Sequence, residues 1–114
     1  MNMLNSVILE GNVENVRVQK DNSLFPVPAV TSLEVSTKRT YRAVTGEDKE
    51  EVTYFDVEAW GALGEFAGSI GKGRGIRVVG RLKQNRWKDA DGKEYSKVVV
   101  VAEHIVVKPM KEEK

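Results

Sequence analysis

Val52-Thr53-Tyr54-Phe55-Asp56-Val57-Glu58-Ala59-Trp60-Gly61-Ala62-Leu63-Gly64-Glu65-Phe66-Ala67-Gly68-Ser69-Ile70 changes its period halfway along. Up to Trp60 the alternation is twofold: Thr53, Phe55, Val57 and Ala59 fall on one side of a strand, and Tyr54, Asp56, Glu58 and Trp60 on the other. Beyond Trp60 the period is helical, because Leu63, Phe66, Ala67 and Ile70 recur at i, i+3, i+4 and i+7 as one buried stripe. Gly71-Lys72-Gly73 then stops the helix, glycine being the residue that tolerates a left-handed cap. Phe55, Leu63 and Phe66 are therefore expected in the core. Tyr54 and Trp60 share the polar side of the strand, where large aromatics facing water need a partner.

Upstream, Ser6 to Gly11 is a short apolar run that reads as a first strand with a turn at Gly11-Asn12. Turn chemistry continues through Lys20-Asp21-Asn22-Ser23, and Pro26 and Pro28 keep residues 24–29 out of any helix or central strand, with Phe25 free to face either way. Leu33, Val35 and Thr37 alternate with Glu34, Ser36 and Lys38 as a second strand, and Thr45-Gly46-Glu47-Asp48 is the loop tip before the third. Downstream, Ile76, Val78 and Leu82 alternate with Arg77, Val79, Arg81 and Lys83 in a fourth strand. Asp89 to Lys93 turns into a fifth, running from Tyr95 to Val107. The order β-β-β-α-β-β, all-β with one short helix between the third and fourth strands, is that of the OB-fold, a five-stranded Greek-key barrel whose strands 2 and 3 and loops 1–2 and 4–5 bind oligonucleotides or oligosaccharides.

A chain of 114 residues suits one domain, expected over residues 1–109 with a short charged tail at 110–114. The absence of cysteine excludes disulfides and thiolate chemistry. Residues 1–5 lack the character of a signal peptide, and the longest strictly apolar run, Val98 to Ala102, cannot span a bilayer, so a cytoplasmic protein without membrane contact is expected. The formal net charge is only +1, yet between Lys72 and Lys97 nine Lys or Arg face three acids, Asp89, Asp91 and Glu94. That local excess surrounds Trp87, and cations interleaved with an aromatic suit a phosphate backbone carrying flat bases.

Chemistry other than binding finds little support. His104 is the single histidine and lies in an apolar strand. Asp89-Ala90-Asp91-Gly92 departs from a calcium loop at Glu94 and Val100, where that loop needs glycine and glutamate, and reads as a turn. Gly71-Lys72-Gly73-Arg74-Gly75 follows a helix and lacks the spacing of a phosphate-binding loop. No catalytic residue, metal or cofactor is expected, and the chain is read as no enzyme.

From residue 5 to 109 the chain resembles the bacterial-type single-stranded DNA-binding protein family. Asn5 to Asn12 is similar to that family's opening strand, residues 52–65 to its aromatic strand and helix, and Lys72-Gly73, Trp87 and Asp91-Gly92 to its fourth strand and hairpin. The resemblance implies that Tyr41, Tyr54, Trp60 and Trp87 stack on bases. It places Lys38, Arg39, Arg42, Arg74, Arg77, Arg81, Lys83, Arg86, Lys88 and Lys97 along or near the path of the strand. It further implies sequence-tolerant protection of single-stranded DNA in replication, recombination and repair, by a nucleoid-associated homotetramer of two dimers paired through their first strands near residues 5–9.

The chain departs from the family in three places. Asp56 and Glu58 stand where a basic, amide or apolar residue is usual, which predicts weaker or more salt-sensitive binding. Residues 14–32 lack the usual Asp-Pro-Glu-like element. Residues 110–114 do not resemble the Gly/Pro/Gln-rich linker and acidic tip through which the family recruits replication and repair enzymes, so tail-mediated partners are not expected. Two rival readings share the fold: a dimeric replication-restart accessory protein, and a scaffold that binds another protein on the face of strands 2 and 3.

Overall fold

A computed structural model of the chain describes residues 2–20 and 29–109. The turn and proline readings at residues 21–28, Phe25 and the tail at 110–114 lie outside the described residues. Five strands close into one barrel in the order β1-β2-β3-β5-β4. They are β1 Val7–Lys20, β2 Ala29–Arg42, β3 Asp48–Trp60, β4 Gly75–Lys88 and β5 Glu94–Val107, with the helix α1 Gly61–Gly68 between β3 and β4. This is the OB-fold expected from the period change. Neighbours are antiparallel except β3 and β5, which pair in parallel at Val57 with Val100 and Glu58 with Val101.

The core is aliphatic. Val13, Leu33, Val35, Val57, Ile76, Val78 and Val100 are all but fully buried, each removing enough apolar surface to contribute about 1.5–3 kcal/mol. The expected turn at Gly11-Asn12 is absent. β1 instead changes partners there, residues 7–12 pairing with β4 and 12–20 with β2, with a bulge between Val13 and Asn15. Gly11 is needed for close approach, since a Cβ on it would sit 2.1 Å from the Ser36 carbonyl oxygen.

The helix also corrects its expectation. Its buried residues are Gly64 and Ala67, while Leu63 is only partly buried and Phe66 is 45% exposed. Contact is too close for large side chains: a Cβ on Gly64 would lie 2.5 Å from the Ala59 carbonyl oxygen, and the Thr31 hydroxyl donates to the Gly64 carbonyl at 2.6 Å. The helix ends at Gly68 with Ser69 in right-handed geometry, and the positive φ of 86° falls later, at Gly73, in the turn into β4.

Two hairpins outrun the barrel as arms, one over residues 38–53 of β2 and β3, the other over residues 81–98 of β4 and β5. They account for a radius of gyration of 17.0 Å, where about 13 Å is usual for this length. Phe55 and Leu82, both expected inside, stand where the arms leave the barrel and are half-exposed. The second arm begins at a bulge between Val79 and Gly80.

Candidate nucleic-acid interface

The outer face of β3 carries Tyr54, Asp56, Glu58 and Trp60 in one row. Tyr54 and Trp60 are 60% and 48% exposed, and the two acids between them are half-buried. Pairing sets Glu34 beside Asp56 and Ser32 beside Glu58 on β2, then Asn15 and Arg17 beside those on β1. These residues floor a groove of about 490 Å³ whose far wall is formed by Asn85 and Lys97 of the second arm.

That arm crosses β3 in step with it. Lys83 Nζ lies 5.8 Å from the Trp60 ring centroid, Asn85 Nδ2 donates to Glu58 Oε2 at 2.9 Å, and Lys97 pairs with Asp56. On the opposite side of the floor, Asn15 Nδ2 donates to Glu34 Oε1 at 3.1 Å. All three carboxylates of the groove are thus engaged by the protein's own donors. Glu58 Oε1 is buried with no hydrogen-bond partner among the described residues.

Trp87 sits nearer the tip, directly across from Tyr95, while Asn85 faces Lys97. These four side chains share one face of the arm, because β-strand alternation has period two. Trp87 and Tyr95 stack with centroids 5.8 Å apart and planes 16° from parallel. The Tyr95 hydroxyl donates to Asp89 Oδ2 at 3.0 Å, and the amides of Asp91 and Lys93 donate to Asp89 Oδ1 at 2.9 Å. The Lys93 amide most of all, then the Tyr95 hydroxyl and the Asp91 amide, hold the Asp89 carboxyl below its ordinary value against the opposing pull of desolvation. Arg86 and Lys88 lie on the back of the arm, where Arg86 donates to Gln84 and Lys88 Nζ stands 3.7 Å from Glu94.

On the first arm, pairing places Tyr41 opposite Lys49 and Arg39 opposite Glu51, one face away from Tyr54, Lys38 and Arg42. Arg39 lies 5.7 Å over the Tyr41 ring. Lys38 pairs with Glu50 at 3.5 Å and Arg42 with Asp48 at 3.4 Å, so the cations of this arm are partly neutralised.

The expected track therefore resolves into groups. Lys97 lines the groove, Tyr54 and Trp60 flank its two acids on the β3 face with Lys83 over Trp60, Trp87 stands further out on the same face of the arm as Lys97, and Arg81 is exposed at the arm's root. Arg74 and Arg77 stand at the other end of β4. Arg74 donates to the Lys108 carbonyl at 3.0 Å, and Arg77 pairs with Glu10 at 2.8 Å, with Lys108 on the same carboxylate. Lys108 and Arg77, in that order, hold Glu10 below the usual carboxylate value. Among the described residues no group of three or more His, Cys, Asp or Glu could hold a metal ion, and no described helix is long and apolar enough to cross a membrane.

A model of the single-strand binding protein family matches residues 4–108, a span holding all five strands and both arms. The chain belongs to that family. The single-stranded DNA-binding protein of Aquifex aeolicus is 35% identical over 107 residues, covering 90% of this chain and 69% of its own length. That of Wolinella succinogenes is 33% identical, covering 90% and 63%. The solved structure of the wild-type single-stranded DNA binding protein from Thermus aquaticus superposes with a TM-score of 0.75 at 28% identity, over 93% of this chain and 50% of that one. A Plasmodium falciparum protein of the same kind, solved in complex with ssDNA, shares the fold with a TM-score of 0.79 at 17% identity. The chain spans about half to two thirds of the length of these bacterial relatives.

Within this single-strand binding fold, Asn15, Arg17 and Asn85 are the groove residues that reading the sequence passed over, and Tyr95, whose side the sequence left open, stands on the Trp87 face of the arm. For Asn85 and Tyr95 the signal was present in the period of the hairpin, which sets both on the Trp87 side. For Asn15 and Arg17 it was hidden by the expected break in β1.

Proposed function

We propose that the chain binds single-stranded DNA without reading its sequence, along the groove between β3 and the second arm. The observation that carries this reading is the pair of exposed aromatics, Tyr54 and Trp60, on one face of β3 either side of Asp56 and Glu58, with a third exposed aromatic, Trp87, on the second arm. Bases stack on these rings while Lys83, Lys97 and Arg81 meet the phosphates. Stacking contributes roughly 1–3 kcal/mol per base and accepts any base, since each has a π-face. Tyr41, with Lys38, Arg39 and Arg42, joins from the first arm, whereas Arg86 and Lys88 act from the back of the second as longer-range attraction. Arg74 and Arg77 support the far end of the barrel and do not touch the strand.

The binding domain is residues 1–109, the protein works in the cytoplasm, and its part in replication, recombination and repair is protection without chemistry of its own. Assembly into a homotetramer uses the outer face of β1, where Ile8 is 70% exposed beside Val79 and the Glu10–Arg77 pair, with Val106 also open. Titration with a dT oligomer of several tens of nucleotides, followed by tryptophan fluorescence at low and moderate salt, tests the binding. Strong quenching with a steep salt dependence is expected, and Trp60→Ala with Trp87→Ala should lower affinity by roughly 2–6 kcal/mol. Unchanged affinity in that double variant would sink the reading.

A further inference from the structure

Asp56 and Glu58 are out of place on a phosphate-binding face if charge alone is considered, since each repels what the groove is built to hold. Their contacts give them another role. Asp56 meets Lys97 of β5, and Glu58 accepts from Asn85 of β4, residues that face each other across the second arm. One step further out along the same face of the arm stand Trp87 and Tyr95. One step nearer the barrel, Lys83 lies over Trp60. The two carboxylates therefore grip both strands of the arm between the Trp60 contact and the Trp87–Tyr95 stack.

We propose that Asp56 and Glu58 are positioning residues: through Lys97 and Asn85 they hold the β4–β5 arm against β3 and so set Trp87 in line with Trp60 before any strand arrives. The proposal rests on the single-stranded DNA reading above. Ion pairs this exposed are weak singly, since Lys97 and Asp56 keep 52% and 39% of their side-chain surface in water. The grip comes from two contacts on opposite strands of one hairpin, which together stop it swinging. A hairpin already in place spares bound DNA the cost of ordering it.

Plain electrostatics and the positioning role predict opposite signs. Asp56→Ala with Glu58→Ala removes two negative charges from the groove, which by charge alone tightens DNA binding. The positioning role predicts about three- to tenfold weaker binding to a dT oligomer instead, because the arm must be ordered on binding. The chain has no cysteine, so Ala62→Cys on α1 and Ala90→Cys at the arm tip, both exposed, take spin labels at two sites only. Pulsed electron-electron resonance without DNA should then give a narrow distance distribution that broadens in the double alanine variant.

Asn85→Ala with Lys97→Gln should broaden it equally from the other side. Exchanging the charges, Asp56→Lys with Lys97→Asp, should restore the narrow distribution. An unchanged distribution in both double variants, or tighter DNA binding in the double alanine variant, would overturn the proposal. The distances are read without DNA, so a parent protein that fails to bind dT would refute the functional reading and leave the positioning test standing.

Discussion

The two arms are similar in length and opposite in preparation. The β4–β5 arm is tied at its root by Asn85 and Lys97, and its tip is braced by Asp89, which gathers two amides and the Tyr95 hydroxyl and leaves Tyr95 stacked on Trp87. The β2–β3 arm has the pairs Lys38–Glu50 and Arg42–Asp48 along its own exposed face, and its turn closes through Gly46 at a φ of 89°. One arm presents its aromatic stacked on a second ring and tied back to β3, whereas the other carries Tyr41 under Arg39 of its own strand. A ring of equal size is worth less on the second, because ordering costs are subtracted from stacking.

The sharpest way to break this comparison is to remove the two rings separately. Trp87→Ala should cost roughly 1–3 kcal/mol of dT affinity and Tyr41→Ala less than about 1 kcal/mol once ordering is counted, measured by fluorescence anisotropy of a labelled oligomer. Equal losses would erase the distinction between the arms.

Acid offers a smaller, reversible version. The folded-state pKa of Asp89 is depressed below 3.8, so what its carboxylate adds to the arm tip is fully present above that unfolded value and is lost as pH falls through the depressed one. The tryptophan signal of the free protein should be flat from pH 8 to about 5 and change only in acid. Asp89→Asn should shift or abolish that acid step.

The smallest effect belongs to the first arm. Glu50→Gln with Asp48→Asn frees Lys38 and Arg42 and should tighten DNA binding by no more than about 1 kcal/mol, with a steeper salt slope. A loss of affinity would mean that those pairs shape the arm.

Much of the barrel was legible because β3 and the start of β4 alternate cleanly and α1 interrupts them. Strand ends and the faces of the arms were harder. Gly11 resembles a turn residue in sequence, but its missing Cβ serves a backbone contact with Ser36 that only the barrel creates. Phe66 keeps helical spacing yet faces outward, because Gly64 and Ala67 are small enough to let α1 approach Ala59 closely. The aromatic row Tyr54 and Trp60 was readable by alternation. The engagement of Asp56 and Glu58 was not, since their partners lie on strands far along the chain. The resemblance set Arg74 and Arg77 along or near the path of the strand, and they stand at the start of a fourteen-residue β4 whose two ends lie roughly 40 Å apart if extended.

The parallel seam between β3 and β5, only two residue pairs long, has a kinetic consequence. Both hairpins join neighbouring segments and can form early, whereas the seam ties the third strand to the last and must wait for the chain between them. Val100→Ala should therefore speed unfolding and scarcely alter refolding, as stopped-flow chevrons would read it, and comparable slowing of refolding would place the seam in the rate-limiting step. The groove floor, anchored on Glu58 at that seam, is thus expected to assemble after both hairpins.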